Sequence, residues 1–289
     1  MTHRASPMIL QNVKRACLAL TVAATLTQTA VADQTYSTIK ERGVVRIGVN
    51  LSGLPFGTYA TGTQRPIGFA VELAEDIGKK LGVKTEVVPV VAANRAVFLQ
   101  QGKVDLLIAN MTVTPERAQQ LDYVPTPYEQ LGGALVAAKK SGFKRWEDLR
   151  GKTICISQGA SFQQPLTRDY GVVLKAFRAQ SEVLLALRGQ SCDGVVLNSP
   201  IMHELMRQPE WAGFEIPIAE DLVPADSVIW LRKQQPETQQ VLDRIVRDWH
   251  GSGWLLEEGR KYQMAASPMI VELHERYRND PRLSAPVTP

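Results

Sequence analysis

Residues 69–90, FAVELAEDIGKKLGVKTEVVPV, join a predicted amphipathic helix to a predicted strand. Apolar side chains recur at helical spacing over Phe69–Leu81, and two acidic–lysine pairs at i,i+4 spacing occupy the other side of that helix. Thr85–Val90 is rich in β-branched residues and predicts a strand. A helix followed at once by such a strand is the repeating unit of an α/β fold.

The same alternation continues on both sides of this unit. Val44–Val49 predicts a preceding strand, Asn94–Gln101 a short helix and Val104–Ala109 a third strand. Thr114 suits the N-cap of the next helix, and Pro115 suits its first position. The order predicts a mostly parallel sheet that is flanked by helices.

A second series of alternating elements begins after residue 150. The predicted strands are Lys152–Gln158, Val172–Phe177 and Cys192–Leu197, and the predicted helices are Ser161–Asp169, Ser181–Arg188 and a segment that begins at Ser199-Pro200. Two series of this kind predict an α/β chain with two lobes.

Two β-rich segments, Gly132–Ala138 and Ser227–Arg232, join the two series, and helices follow from Glu237. We expect lobe 1 to hold residues 33–134 and 229–277, lobe 2 to hold residues 135–228, and residues 278–289 to form a flexible tail. Two adjacent crossings make a hinge with a cleft between the lobes.

Residues 1–32 match the pattern of a secretory signal peptide. Lys14-Arg15 precedes the apolar run Ala16–Leu26, and Ala30-Val31-Ala32 fits a cleavage site. A buried N-terminal helix is the alternative. The pattern predicts export to the periplasm, so the remaining Cys155 and Cys192 would meet an oxidising compartment. We expect buried free thiols there, with a disulfide as the alternative.

Composition excludes several classes of protein. A hydrophobic content of 44% excludes a disordered chain, and three cysteines cannot hold together a disulfide scaffold of 289 residues. Three of the 33 basic residues lie in the predicted signal peptide, which leaves 30 basic against 29 acidic residues. This balance gives no electrostatic surface for nucleic acid or anionic lipid.

Polar residues follow the predicted strands, where open α/β sheets bind their ligands. Asn50 follows the first strand, Asn110 and Thr112 follow the third, and Ser161 and Asn198 occupy such positions in lobe 2. These side chains form the candidate binding site.

Arg117 belongs to the first turn of a predicted helix, where the helix dipole disfavours a cation. One interpretation is a solvated surface arginine. The other is an anion site in which Arg117 grips a carboxylate and the Thr112 and Ser161 hydroxyls assist.

The stretches ANR at 93–95, LQQGKVDL at 99–106 and NMTVTPERA at 110–118 resemble the bacterial extracellular solute-binding proteins of family 3, the receptors of ABC importers. The resemblance covers about residues 44–262. It implies the type II periplasmic-binding-protein fold, closure on a small amino acid, delivery to an inner-membrane ABC permease, a monomer and no cofactor.

In that family Arg117 corresponds to the clamp of the ligand α-carboxylate, and Thr112, Asn110 and Ser161 to its helpers. Arg95 resembles a second arginine of the members that bind aspartate or glutamate, although a structural role is the alternative. These assignments are what the resemblance implies.

Three positions depart from the family pattern. Asn198 replaces the aspartate that binds the ligand ammonium, Asn50 replaces another aspartate, and Gly53 replaces an aromatic residue. An asparagine binds an ammonium less well than a carboxylate does. With Arg95 and Arg117 retained, the charges favour an acidic amino acid or a related organic acid.

We find no catalytic motif and no spacing of His203, His250 and His274 that suits a metal. A periplasmic enzyme resembling cyclohexadienyl dehydratase is the alternative function. It would need a general acid, whereas Gln158 and Asn198 do not titrate. A ligand sensor would use the same cleft.

Overall fold

The computed structural model describes residues 34–283. The predicted signal peptide and the end of the predicted tail, residues 284–289, lie outside the described residues. Among the described residues, no helix combines the length and the apolar character that crossing a membrane requires.

The first part of the chain alternates helices and strands as predicted. Its elements are α1 (Gln34–Arg42), β1 (Val44–Asn50), β2 (Thr58–Tyr59), β3 (Pro66–Ile67), α2 (Phe69–Leu81), β4 (Lys84–Val90), α3 (Arg95–Gln100), β5 (Leu106–Ile108), α4 (Pro115–Gln120) and β6 (Asp122–Tyr123). The bounds of α2 agree with the prediction because its apolar side is buried and Gly82 ends it in a left-handed conformation, with φ 66°.

The middle part forms a second α/β unit. Its elements are β7 (Glu129–Ala138), β8 (Thr153–Ser157), α5 (Gln163–Arg168), β9 (Val173–Phe177), α6 (Gln180–Arg188), β10 (Gly194–Asn198), α7 (Ser199–Leu205), β11 (Phe214–Glu215) and β12 (Leu222–Ser227). Helix α5 begins two residues later than predicted, since Ser161 and Phe162 belong to the preceding turn.

The last part returns to the first unit. It comprises β13 (Trp230–Leu231), α8 (Pro236–Gly251), α9 (Trp254–Lys261), α10 (Pro268–Tyr277) and a short 3-10 helix at Pro281–Leu283. That 3-10 helix lies within the predicted tail and contacts α8.

Two sheets form the centres of the two lobes. In the first, the strand order is β4-β1-β5-β13-β6, and β1 pairs in parallel with β4 and β5. In the second, β8 pairs in parallel with β9 and β10, while β7 runs antiparallel to β10, β11 and β12. The predicted two-lobe α/β fold is confirmed.

The hinge consists of two neighbouring crossings. The chain leaves the first sheet after Tyr123 and returns at Trp230, and between them β7 and β12 pair with Glu129 opposite Ser227. The Tyr128 N–H donates to the Ser227 carbonyl at 3.0 Å, which ties the crossings together. β7 spans the lobe boundary predicted at 134/135, and that boundary and the one at 228/229 stay predictions.

Cys155 and Cys192 form a disulfide across a sequence separation of 37 residues, with Cα atoms 5.9 Å apart. The expectation of buried free thiols is therefore wrong. Cys192 also lies just before β10 rather than within a strand. Cys192 lies two residues before the start of β10, next to Cys155 on β8. The separation of their Cα atoms is within the range that a disulfide requires.

Replacing both cysteines by serine should lower the free energy of unfolding by about 4 kcal/mol, because the cross-link restricts the unfolded chain. Urea denaturation of the oxidised protein measures this difference. Reductant should lower the stability of the wild type to that of the Cys155→Ser/Cys192→Ser variant and leave the variant unchanged. Equal stability of the reduced and oxidised wild type would contradict the pairing.

Glu129 begins the hinge strand β7 and is only 3% exposed. Burial raises the pKa of the Glu129 carboxyl to about 7, although hydrogen bonds from the Gln130 N–H and the Ser267 hydroxyl act to lower it. The hinge therefore contains a carboxyl group that is costly to ionise.

Because the folded protein holds the Glu129 proton more tightly than the unfolded chain does, stability should be lost as the pH rises. The free energy of unfolding should fall by about 3 kcal/mol between about pH 4.5 and about pH 7 on account of this group. Glu129→Gln should remove that slope in denaturation measured across this range. The exposed Glu147→Gln variant should keep it, and a wild-type slope in Glu129→Gln would refute the assignment.

Candidate ligand-binding site

The carboxyl ends of strands from both sheets meet at a small cavity of about 40 Å³. Five of the predicted site residues line it, namely Asn50, Arg95, Asn110, Ser161 and Asn198. The sheets bring these residues together because β1 and β5 end in one lobe opposite β8 and β10 in the other. Thr112 and Arg117 lie beside this group rather than in the cavity lining.

Arg117 extends from α4 toward the other lobe. Thr114 caps this helix by accepting the Arg117 N–H at 3.3 Å. The Arg117 Nη1 donates to the carbonyl of Thr112 at 2.6 Å and to its hydroxyl at 3.1 Å, and Nη2 donates to the Gly159 carbonyl at 2.8 Å. Burial lowers the pKa of Arg117 to about 10, so it stays a cation at neutral pH. Arg117 therefore lies between the lobes.

Arg95 is 5% exposed and hydrogen-bonds mainly to the end of β5. Its Nη1 donates to the carbonyls of Ala109 and Asn110, and its Nη2 lies 3.4 Å from the Gly159 carbonyl oxygen. Burial lowers the pKa of Arg95 to about 9, and the nearby Arg117 cation contributes to this decrease. The structure thus gives Arg95 a structural role and a position in the cavity wall at once.

Asn110 is held in a left-handed conformation, with φ 53°, a conformation that asparagine adopts more readily than most residues. Its side chain is 6% exposed, and its Oδ1 atom has no hydrogen-bond partner among the described residues. The Asn110 N–H bonds the Tyr128 hydroxyl, which also accepts from Ser227 at 3.0 Å. An unpaired acceptor therefore lies in the cavity wall and is connected to the hinge.

The remaining predicted residues occupy different positions around the cavity. The Thr112 hydroxyl donates to the Ser161 hydroxyl at 3.2 Å and so connects the lobes. The Asn50 Oδ1 accepts the Ser52 N–H at 2.9 Å, which fixes the loop after β1. Asn198 precedes α7 and forms no side-chain cap bond there.

Sequence reasoning missed Gln180, the first residue of α6. Its side chain lines the cavity, and its Nε2 lies 3.4 Å from the Ser52 carbonyl oxygen in the other lobe. Gln180 follows the carboxyl end of β9, so the strand-end rule that found Asn50 and Asn198 would also have indicated it.

Gly159 connects the lobes through its carbonyl, which accepts from both arginines. Its φ is +78°, and a Cβ atom there would lie 2.7 Å from the Ala92 carbonyl oxygen of the other lobe. A side chain at this position would therefore force the lobes apart.

Gly159→Ala should increase the radius of gyration measured by small-angle X-ray scattering, since the added methyl group clashes across the lobes. Gly142→Ala is the matched control, because Gly142 has φ +73° and no atom of the described residues lies within 4 Å of its added Cβ. Both variants should lose about 1–2 kcal/mol of stability through the left-handed conformation. An unchanged radius for Gly159→Ala would show that this contact does not hold the lobes together.

Solved structures agree with this architecture. An ancestral arginine-binding protein bound to arginine is 31% identical, with a TM-score of 0.70, over 76% of this chain and 98% of that chain. The ancestral amino acid-binding protein AncCDT-1, a precursor of cyclohexadienyl dehydratase, shares the fold at 24% identity and a TM-score of 0.71, over 79% of this chain and 99% of that one.

Curated relatives are binding proteins with different ligands. The arginine-binding extracellular protein ArtP of Bacillus subtilis is 27% identical over 68% of this chain and 77% of its own length. The L-glutamate/L-aspartate-binding protein of Pseudomonas aeruginosa is 24% identical over 80% of this chain and 82% of its own length. The family model of the bacterial extracellular solute-binding proteins, family 3, matches residues 45–265. The chain is a member of this family, whose curated relatives are amino acid-binding proteins of ABC transporters.

Proposed function

We propose that the protein captures an acidic amino acid between its lobes in the periplasm and delivers it to an ABC permease. The observation that carries this proposal is the charge of the cavity. Arg95 lines it and Arg117 lies beside it, whereas no aspartate or glutamate occurs among its described lining residues. A buried site with this charge favours a ligand that carries net negative charge.

A basic amino acid fits this charge pattern poorly. Its side-chain cation would enter a region that already contains the two guanidinium groups of Arg95 and Arg117, and the described lining has no carboxylate to offset it. Like charges at short range in a buried site repel strongly. The ligands named for the relatives range from arginine to glutamate, so family membership alone does not select one.

An amino acid fits better than an organic acid without an amine. The unpaired Oδ1 of Asn110 is a buried acceptor in the cavity wall, and such a group is stabilised by a ligand donor. The α-ammonium of an amino acid would supply that donor, which gives Asn110 a role different from the carboxylate helper that the resemblance implies. The ligand carboxylate would then lie near Arg117, Thr112 and Ser161.

The same cavity supports binding rather than catalysis. Its described lining contains no aspartate, glutamate, histidine or cysteine, and its one ionisable side chain is Arg95. Dehydration of a cyclohexadienyl substrate would require a group that can protonate the leaving hydroxyl. A buried guanidinium with a pKa of about 9 is a weak acid for that step at neutral pH.

L-Glutamate and L-aspartate should raise the thermal stability of the protein more than L-arginine, L-lysine or L-glutamine at equal concentration. At 100 times its dissociation constant, the ligand should add about 2.7 kcal/mol. Isothermal titration calorimetry should then show that Arg117→Ala loses this binding and that Arg117→Lys weakens it at least about tenfold, since lysine lacks the two parallel donors.

Arg168→Ala is the matched control, because Arg168 is exposed and pairs with its neighbour Asp169. This variant should bind like the wild type. Preference for arginine or lysine would overturn the acidic assignment, and undiminished binding by Arg117→Ala would overturn the role of the clamp.

A further inference from the structure

A second and larger cavity, of about 620 Å³, lies on the other side of α7. Ile201 lines the small cavity, whereas His203 and Arg207 line the large one, and the two share none of their described lining residues. Its remaining walls come from β7, from residues 262–268, which lead into α10, and from Pro55, Asp221 and Pro224. The large cavity is therefore separate from the proposed amino acid site.

Glu129 is a buried carboxylate in the wall of this cavity. It accepts the Gln130 N–H at 2.8 Å and a hydrogen bond from the Ser267 hydroxyl. A carboxylate offers about four acceptor positions, so about two remain. No described lysine, arginine or histidine forms an ion pair with Glu129. A buried carboxylate without a cation is costly to ionise, and a bound cation would remove that cost.

The other charged groups of the lining leave an excess of negative charge. Glu204 and Arg207 pair with each other at 2.6 Å and largely cancel. Asp221 also lines the cavity and forms no ion pair with a described residue. His203 also lines the cavity. The cavity therefore favours a positively charged occupant over a neutral or negative one.

The lining residues of the cavity favour an organic cation over a metal ion. Within residues 34–283 there is no group of three or more histidine, cysteine, aspartate or glutamate side chains that could hold a metal. The lining also includes apolar groups of Pro55, Met264, Ala265 and Ala266. An alkyl chain could lie along these groups, as in the mixed apolar and polar lining typical of small-molecule sites.

The position of Glu129 is fixed on both sides. Ser267 is the N-cap of α10 and accepts the Ile270 N–H at 3.4 Å while its hydroxyl donates to Glu129. The main chain of Glu129 pairs with that of Ser227 in the hinge. The sheet thus fixes the backbone of Glu129, and the Gln130 N–H orients its carboxylate before any ligand arrives.

We propose that this second cavity binds an aliphatic ammonium ion, with the nitrogen on the Glu129 carboxylate and the alkyl chain along Pro55 and Met264–Ala266. The site is independent of the proposed amino acid site and extends beyond that function. Its ligand class is a primary alkylamine or a diamine in the protonated form.

Calorimetric titration with n-butylammonium and putrescine, with 1-butanol as the neutral analogue, tests this proposal. We expect the two cations to bind and butanol to bind at least tenfold more weakly. Glu129→Gln should weaken binding of the cations at least tenfold, whereas the exposed Glu147→Gln should bind like the wild type. Equal binding of butanol, or unchanged binding by a folded Glu129→Gln, would overturn the proposal.

Two further measurements use proteins that keep Glu129. Cation binding to the wild type at pH 7 should release protons, seen as different enthalpies in two buffers of unequal ionisation enthalpy, because the protonated fraction of Glu129 must ionise. Absence of proton release would contradict the assignment. Arg117→Ala should keep its affinity for the amine even if it loses the amino acid. Loss of both would place the amine in the small cavity.

Discussion

The carbonyl oxygen of Gly159 is the acceptor that joins both arginines of the first lobe to the second lobe. It belongs to the second lobe, yet it accepts from Arg117 at 2.8 Å and lies 3.4 Å from the Arg95 Nη2 of the first. Arg95 is buried and Arg117 is partly buried. Both guanidinium groups need acceptors, because a desolvated guanidinium without hydrogen bonds is costly. Main-chain carbonyls supply these acceptors here without supplying a negative charge. In the proposed function, the carboxylates of the ligand would offset the positive charge of the two arginines.

The hinge is connected to this site through a short series of hydrogen bonds. Tyr128 lies where the chain leaves the first lobe, and its hydroxyl is bonded both to Ser227 on the second crossing and to the Asn110 N–H. Burial raises the pKa of Tyr128 to about 12, so the hydroxyl keeps its proton at neutral pH. These bonds connect the crossings to Asn110, whose Oδ1 is the unpaired acceptor of the cavity among the described residues. In the proposed function, this series would connect the hinge to the bound ligand.

Local patterns were sufficient to predict much of the fold. The apolar spacing of α2 and the Thr114 cap of α4 act within a few residues of the chain, and both predictions agree with the structure. The strand-end rule also selected Asn50, Asn110, Ser161 and Asn198, and these four residues line one cavity in the structure. The disulfide was only the alternative to free thiols in the prediction, because pairing depends on how the residues before β10 lie against β8. The hydrogen bonds of Arg95 could not be predicted either, because its partners are main-chain carbonyls that only the folded chain brings together.

A crystal structure of the protein grown with L-glutamate tests the central claim most directly. The α-carboxylate of the bound glutamate should lie within hydrogen-bond distance of the Arg117 guanidinium and the Ser161 hydroxyl, and its ammonium should lie at Asn110 Oδ1. A ligand bound with its carboxylates away from both Arg117 and Arg95, or with its ammonium beside either guanidinium, would contradict it.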